Sequence, residues 1–294
     1  MQSDGKAAHV FVDDRTYRVL SVRTGGMGRV WCLELVSAPS GDPVYRHRIA
    51  VKTFDFVSDE QAVEHELNAW ISLKHRCVVP LRKIGRLNYR LAAIMPLLIG
   101  SLDDLIEEHG PFNESEVAKV LLDVVDALDY AWSTFKLLHL DLKPSNVLVE
   151  NSSPLSAKVS DWGISRLSID RRQMQSPMDE VPNNHKTAYA AGTPLFMAPE
   201  RFSGNWILSP RADIYSIGMM AVQLSTGLLP FRFGQENPAV EIATGSYFQN
   251  ALERLRDHSK RFQRLCLHCI HPDASQRPVA FRELAPALKA LIKT

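Results

Sequence analysis

Residues 137–150, LLHLDLKPSNVLVE, set an aspartate, a lysine and an asparagine between two apolar runs. Those three side chains can take a proton from a hydroxyl, neutralise an anion and offer an amide oxygen to a cation. Twenty residues past Asp141, the stretch VSDWG puts Asp161 and a turn-forming Gly163 after a second apolar run. Two aspartates on loops beside short strands are suited to holding a metal or accepting a proton. Upstream, VRTGGMGRVW carries Gly25, Gly26 and Gly28 between β-like runs. Without a Cβ these positions let backbone N–H groups approach phosphates closely, although the same turn also suits a plain hairpin. The stretch IAVKTF embeds Lys52 in an apolar strand, where burial is costly without an anionic partner. Glu66, on the helix-like segment that follows, offers one partner and a bound phosphate another.

The elements that must position these groups fall into two parts. Residues 17–35, 49–56 and 90–97 alternate or run apolar as strands do, with one helix-like segment, 59–74, among them. From Ser101 onward the apolar spacing becomes helical, in SLDDLIEEHG, NESEVAKVLLDVVDALDYAWSTF with Asn113 as N-cap, DIYSIGMMAVQLSTG and FRELAPALKALIK. Between them, residues 164–197 include the aperiodic MQSPMDEVPNNHK, a loop long enough to be functional or disordered. No internal repeat is present.

Composition narrows the function classes. The 294 residues hold 45% hydrophobic and 23% charged side chains, the balance of a folded chain with room for one large domain or two lobes. Thirty-four basic against 33 acidic residues, with no basic run, argue against nucleic-acid or anionic-membrane partners. The polar N-terminus has no signal-peptide core, which predicts a cytoplasmic protein. The most apolar stretch, 214–229, falls short of a membrane span and reads as a buried helix. Cys266 and Cys269, beside His268 and His271, make a lone CxxC that reads as packing rather than a zinc site.

Taken in order, the chain has a glycine loop, a strand lysine, a helix glutamate, an aspartate with an asparagine, and an aspartate with a glycine. This ordered set resembles the signature of the eukaryotic-like (Hanks-type) serine/threonine protein kinase family across residues 17–291, in its non-RD variant. The resemblance implies an α+β bilobal protein-kinase fold: a small mainly-β N-lobe with one key helix and a larger mainly-α C-lobe. It divides the chain into an extension at 1–16, an N-lobe at 17–97 and a C-lobe at 98–294, with an activation segment at 161–200.

The resemblance further implies ATP and Mg2+ as cofactors and protein substrates with Ser or Thr acceptors. Gly25, Gly26 and Gly28 would cover the phosphates, Val30 and Ala50 would line the adenine pocket, and Val22 and Leu148 would also bind the nucleotide. Met95 would be the gatekeeper, with the backbone of Leu97 and Leu98 bonding adenine. Lys52, paired with Glu66, would hold the α- and β-phosphates; Glu66 is preferred to Glu64 because it lies nine residues before His75. Asp141 would take the acceptor proton and Lys143 would steady the γ-phosphoryl group, while Asn146 and Asp161 would bind magnesium. Glu200 would pair with Arg277, and Asp213 would brace the catalytic loop.

The sequence departs from this family pattern at five places. Arg23 stands where the first loop glycine belongs, which predicts a less close backbone approach to nucleotide. Leu140 replaces the arginine before the catalytic aspartate, which removes a receptor for phosphate on the activation segment, so activity is expected without phosphorylation of Ser176, Thr187 or Tyr189. Trp162 replaces a phenylalanine and is expected to pack under the glutamate helix. SAPSGDPVYRHR, residues 37–48, is an insertion with hairpin turn residues. Ser145 stands where an acid often favours basic substrates. Arg23 and Leu140 are also the features that a nucleotide-binding scaffold without catalysis would show.

Overall fold

The computed structural model describes residues 8–25, 28–38, 48–54, 59–162, 194–202, 209–232 and 237–293. Gly26, Gly163, most of the 37–48 insertion and the acceptor candidates Ser176, Thr187 and Tyr189 lie outside them.

Six strands of the N-terminal part are β1 (His9–Val12), β2 (Arg15–Gly25), β3 (Gly28–Ser37), β4 (Arg48–Thr53), β5 (Lys83–Leu87) and β6 (Arg90–Pro96). They close into a barrel in the order β1-β2-β3-β4-β6-β5, all pairings antiparallel. Period-two alternation sorts the side chains. Leu33, Ile49, Val51, Ala92 and Ile94 fill the barrel, whereas Ala50, Ala93 and Met95 face the other way, into the main core. Strand β1 falls within the stretch set apart as an extension: Val10 and Val12 are buried in the barrel, and Val12 meets Leu87 of β5.

Helix α1 (Glu60–Ser72) starts where the Asp59 side chain accepts from the Ala62 N–H, and it buries Val63, Leu67 and Trp70. The Trp70 indole donates to the Val79 carbonyl at 2.9 Å, which fixes the helix to the segment that leads to β5.

The second part is mainly helical. After α2 (Leu102–His109), α3 (Glu114–Phe135) is the long central helix. Asn113 caps it as expected, in a reciprocal box with Glu116. Its apolar stripe packs on a three-stranded sheet of β7 (Gly100–Ser101), β8 (Val147–Ser152) and β9 (Leu155–Val159), and on the far side against the last helix. Helix α4 (Arg211–Thr226) is buried along nearly its whole length, as its largely apolar character predicts. Helices α5 (Pro238–Thr244), α6 (Ser246–Arg254), α7 (Lys260–Cys269) and α8 (Ala285–Ile292) complete the part. Cys266 and Cys269 are buried on α7, and burial raises both thiols, Cys269 to about 12. Among the described residues no group of three or more His, Cys, Asp or Glu could hold a metal, and no helix is long and apolar enough to cross a membrane.

Candidate active site

The β8–β9 hairpin brings the polar groups of the sequence together. Its register pairs Val147 with Val159, so the residues just before β8 and just after β9 become neighbours. Ser160 seals the junction: its N–H and its hydroxyl both donate to the Asn146 carbonyl, at 2.9 and 3.0 Å. Asp141 and Asn146 thereby come to lie beside Asp161.

The loop between α3 and β8 is held from several sides. The Asp141 carboxylate accepts from Lys143 Nζ at 2.8 Å and from Asn146 Nδ2 at 3.1 Å, and Asn146 Nδ2 also donates to the Asp141 carbonyl at 2.8 Å. These bonds use the amide nitrogen of Asn146. Burial works to raise the Asp141 carboxyl, but Lys143 and Asn146 outweigh it and hold the group below its ordinary value. Asp141 is therefore an ionised acceptor at neutral pH.

Leu140, the residue in place of arginine, has a left-handed backbone with φ 62°. A β-like or helical Leu would be cheaper, so the conformation needs support. Asp213 on α4 supplies it, accepting from the His139 and Leu140 N–H groups, each at 2.7 Å. Arg201 holds the next peptide by donating to the Leu140 carbonyl. His139, fully buried, accepts from the Asp141 N–H at Nδ1 and donates from Nε2 to the Ser160 carbonyl, which assigns its tautomer. Its ring meets that of Trp162 edge-on at 5.1 Å, and the Trp162 indole donates to the Val159 carbonyl at 3.0 Å. The tryptophan that replaces phenylalanine is thus buried with its polar atom satisfied.

Across the cleft, Lys52 on β4 donates to Asp161 Oδ2 at 2.7 Å, with side-chain exposures of 11% and 21%. Asp161 also has a left-handed backbone, φ 60°. Glu66 is buried on α1 while Glu64 is exposed. Ala50 and Met95 are paired neighbours on β4 and β6 and are buried toward the main core; Leu97 and Leu98, in the link from β6 to β7, and Leu148 on β8 pack on that core. Val30 sits opposite Lys52. Val22 is placed differently from the expectation: its partner is Trp31, in the row of Val51 that faces the barrel. Strand alternation instead puts Arg23 in the cleft row with Val30 and Lys52. Gly25 and Gly28 face each other at the tip of the β2–β3 hairpin.

Behind the site, Arg277 forms a two-pronged pair with Glu200 at 2.8 and 2.9 Å, as expected, and also donates to the His271, Arg211 and Pro272 carbonyls. The sequence gives no role to His139, Ser160 or Arg201. For His139 a signal existed, a polar residue between two leucines in an otherwise apolar run. Arg201 acts over 61 residues of separation, and no local pattern shows that.

A β-barrel lobe over a helical lobe, with lysine, asparagine and two aspartates between them, defines a class of two-lobed cleft proteins. The chain belongs to the protein kinase domain family, whose family model matches residues 24–286. It is 29% identical over 290 residues to the serine/threonine-protein kinase pkn3 of Myxococcus xanthus, a match that covers 94% of this chain and 50% of that protein. It is also 29% identical over 215 residues to the serine/threonine-protein kinase PknD of Mycobacterium tuberculosis, covering 71% of this chain and 29% of the relative. The chain thus spans half or less of these two curated relatives. Among solved structures, Rad53 1-466 in complex with AMP-PNP superimposes with a TM-score of 0.69 at 23% identity, over 96% of this chain and 65% of that one, a likeness of fold.

Proposed function

We propose that the chain transfers the γ-phosphoryl group of ATP to Ser or Thr hydroxyls of protein substrates. The observation that carries this reading is the Asp141 carboxylate, ionised and oriented by Lys143 and Asn146 on the same loop. A base so placed accepts the acceptor hydroxyl's proton as the oxygen attacks, while Lys143 meets the charge on the transferred group. Phosphoryl transfer asks the protein for positioning and charge neutralisation rather than covalent chemistry.

The donor set fits magnesium. The Asn146 amide oxygen and the Asp161 carboxylate are hard oxygen ligands on adjoining segments, the kind Mg2+ takes one or two of while keeping phosphate oxygens and water. Bound Mg-ATP would supply the transferable phosphoryl group and the counter-charge for it. Lys52 is the residue that would exchange its contact with Asp161 for the nucleotide phosphates. The buried Glu66 is the carboxylate proposed to steady Lys52 once that exchange has occurred. The serine/threonine names of the relatives and the lysine two residues after the base favour hydroxyl acceptors of that class over tyrosine.

The test is transfer of labelled γ-phosphate to the protein itself and to a generic basic protein, followed by phosphoamino-acid analysis. Label on Ser or Thr that disappears in Asp141→Asn is the expected result. Equal labelling by that variant would overturn the assignment of the base, and label on tyrosine would overturn the acceptor class.

A further inference from the structure

The departure at the first glycine position has a partner. Arg23, near the end of β2, reaches across to α2, where its guanidinium donates to Asp104 Oδ1 at 2.5 Å. The two residues belong to opposite walls of the cleft. Arg23 shares the strand row of Val30 and Lys52 above, whereas α2 follows directly on β7 below.

The Asp104 end of the pair is fixed before Arg23 arrives. Its other oxygen, Oδ2, accepts from the Ser101 N–H and hydroxyl, both at 2.8 Å, and the Ser101 hydroxyl accepts from the Asp104 N–H, a reciprocal cap for α2. Gly100 makes room for this carboxylate, since a Cβ there would lie 3.3 Å from Oδ2. The cap therefore holds one oxygen and presents the other to the cleft mouth, so only the arginine loses freedom when the pair forms. Charge on this wall is strengthened by Glu107, which also attracts the guanidinium.

We propose that Arg23 and Asp104 form a latch across the mouth of the nucleotide cleft, which the glycine hairpin and α2 must break to admit or release ATP. The proposal rests on the reading of the cleft as a nucleotide site. Arg23 is a positioning residue here, not a catalytic one: it sets the rate at which the cleft opens and leaves the transfer step to the groups below. An arginine at this place thus exchanges some backbone closeness over the phosphates for a clasp that keeps the hairpin down. The device is also electrostatic and half exposed, with the Arg23 side chain 65% and the Asp104 side chain 27% accessible, so salt should loosen it.

The experiment measures dissociation of magnesium 2-aminopurine riboside triphosphate, a base-labelled ATP analogue, from the full chain by stopped flow with excess ATP as chase. Arg23→Gln is expected to release the analogue about two- to fivefold faster at low salt, the fold-change of a well-made exposed ion pair. Arg23→Lys should recover much of the slow release. Asp104→Asn should match Arg23→Gln, and the double variant should be no faster than either alone. At about 1 M salt, where the screening length is about 3 Å, all variants should converge on one rate. Arg23→Gln touches no helix cap, so its result stands even if Asp104→Asn perturbs α2. Wild-type release rates in Arg23→Gln, or additive effects in the double variant, would sink the latch alone. A wild-type chain that does not bind the analogue at all would sink the nucleotide reading and the latch with it.

Discussion

Asp141 is pulled in two directions, and the balance sets its chemistry. Burial favours the neutral acid; Lys143 and Asn146 favour the anion and win, so the group sits below its ordinary carboxylate value. A carboxylate depressed on folding contributes stability above its unfolded pKa, and that contribution is lost as pH falls through the folded pKa. The window is therefore acid, below about pH 4, and the base stays charged through neutrality. In Lys143→Met the opposing charge is gone and burial is less well countered. The acid limb of the kcat profile, taken at saturating ATP, should then move to higher pH as kcat itself falls. An acid limb that stays in place would mean that Lys143 does not tune the base. At this scale the sequence was informative where a polar residue interrupts an apolar run, because the cost of burying it demands a reason. That logic picks out Lys52, Asp141, Asn146 and Asp161. It could not find Arg201 on the Leu140 carbonyl or Asp104 on Arg23, since pairings across 61 and 81 residues leave no mark in local pattern.

Elements carry the strain that the loop stores. Leu140 holds its left-handed backbone because α4 offers Asp213 to two N–H groups that would otherwise be buried without partners. Asp213→Ala should cost about 1–3 kcal/mol for each orphaned donor, read by denaturant unfolding, and should lower kcat by letting Asp141 drift. A variant of normal stability and rate would show that the loop keeps its shape unaided. The same helix gives Cys269 a packing role. A Cβ on Gly218 would lie 2.6 Å from the Cys269 Cβ and 2.6 Å from Ile270 Cγ2, so α4 and α7 touch where both side chains are small. Gly218→Ala should cost about 1–3 kcal/mol by overpacking, despite the better helix propensity of alanine. Helices with a clear apolar period, such as α3 and its Asn113 cap, were readable from the sequence. The short strands β1 and β5 were not: at four and five residues they are too short to show a period, and the contact that closes the barrel between them, Val12 with Leu87, joins residues far apart in the chain.

At the scale of the whole molecule, polar contacts join the two lobes at several places among the described residues, from Arg76 with Asp126 to Arg23 with Asp104, and the pair between Lys52 and Asp161 is the one that spans the candidate site. With side-chain exposures of 11% and 21%, neither charge is fully hydrated. Removing one leaves the other poorly solvated. Asp161→Asn should thus destabilise the nucleotide-free protein by about 2–3 kcal/mol, below the range for a wholly buried pair because Asp161 keeps some water. In the proposed function the same carboxylate turns to magnesium when nucleotide enters, so the variant should fail a second test as well. Wild-type protein at a hundredfold excess of Mg-ATP over Kd should gain about 2.7 kcal/mol, seen as a rise in Tm. Asp161→Asn should lose most of that gain, and omitting magnesium should make the two proteins respond alike. The pair of measurements separates a strut from a switch. If Asp161 only braced the lobes, the variant would melt earlier without nucleotide yet gain as much from Mg-ATP as the wild type. Loss of both marks Asp161 as a charge that holds the empty cleft together and is then handed to the metal.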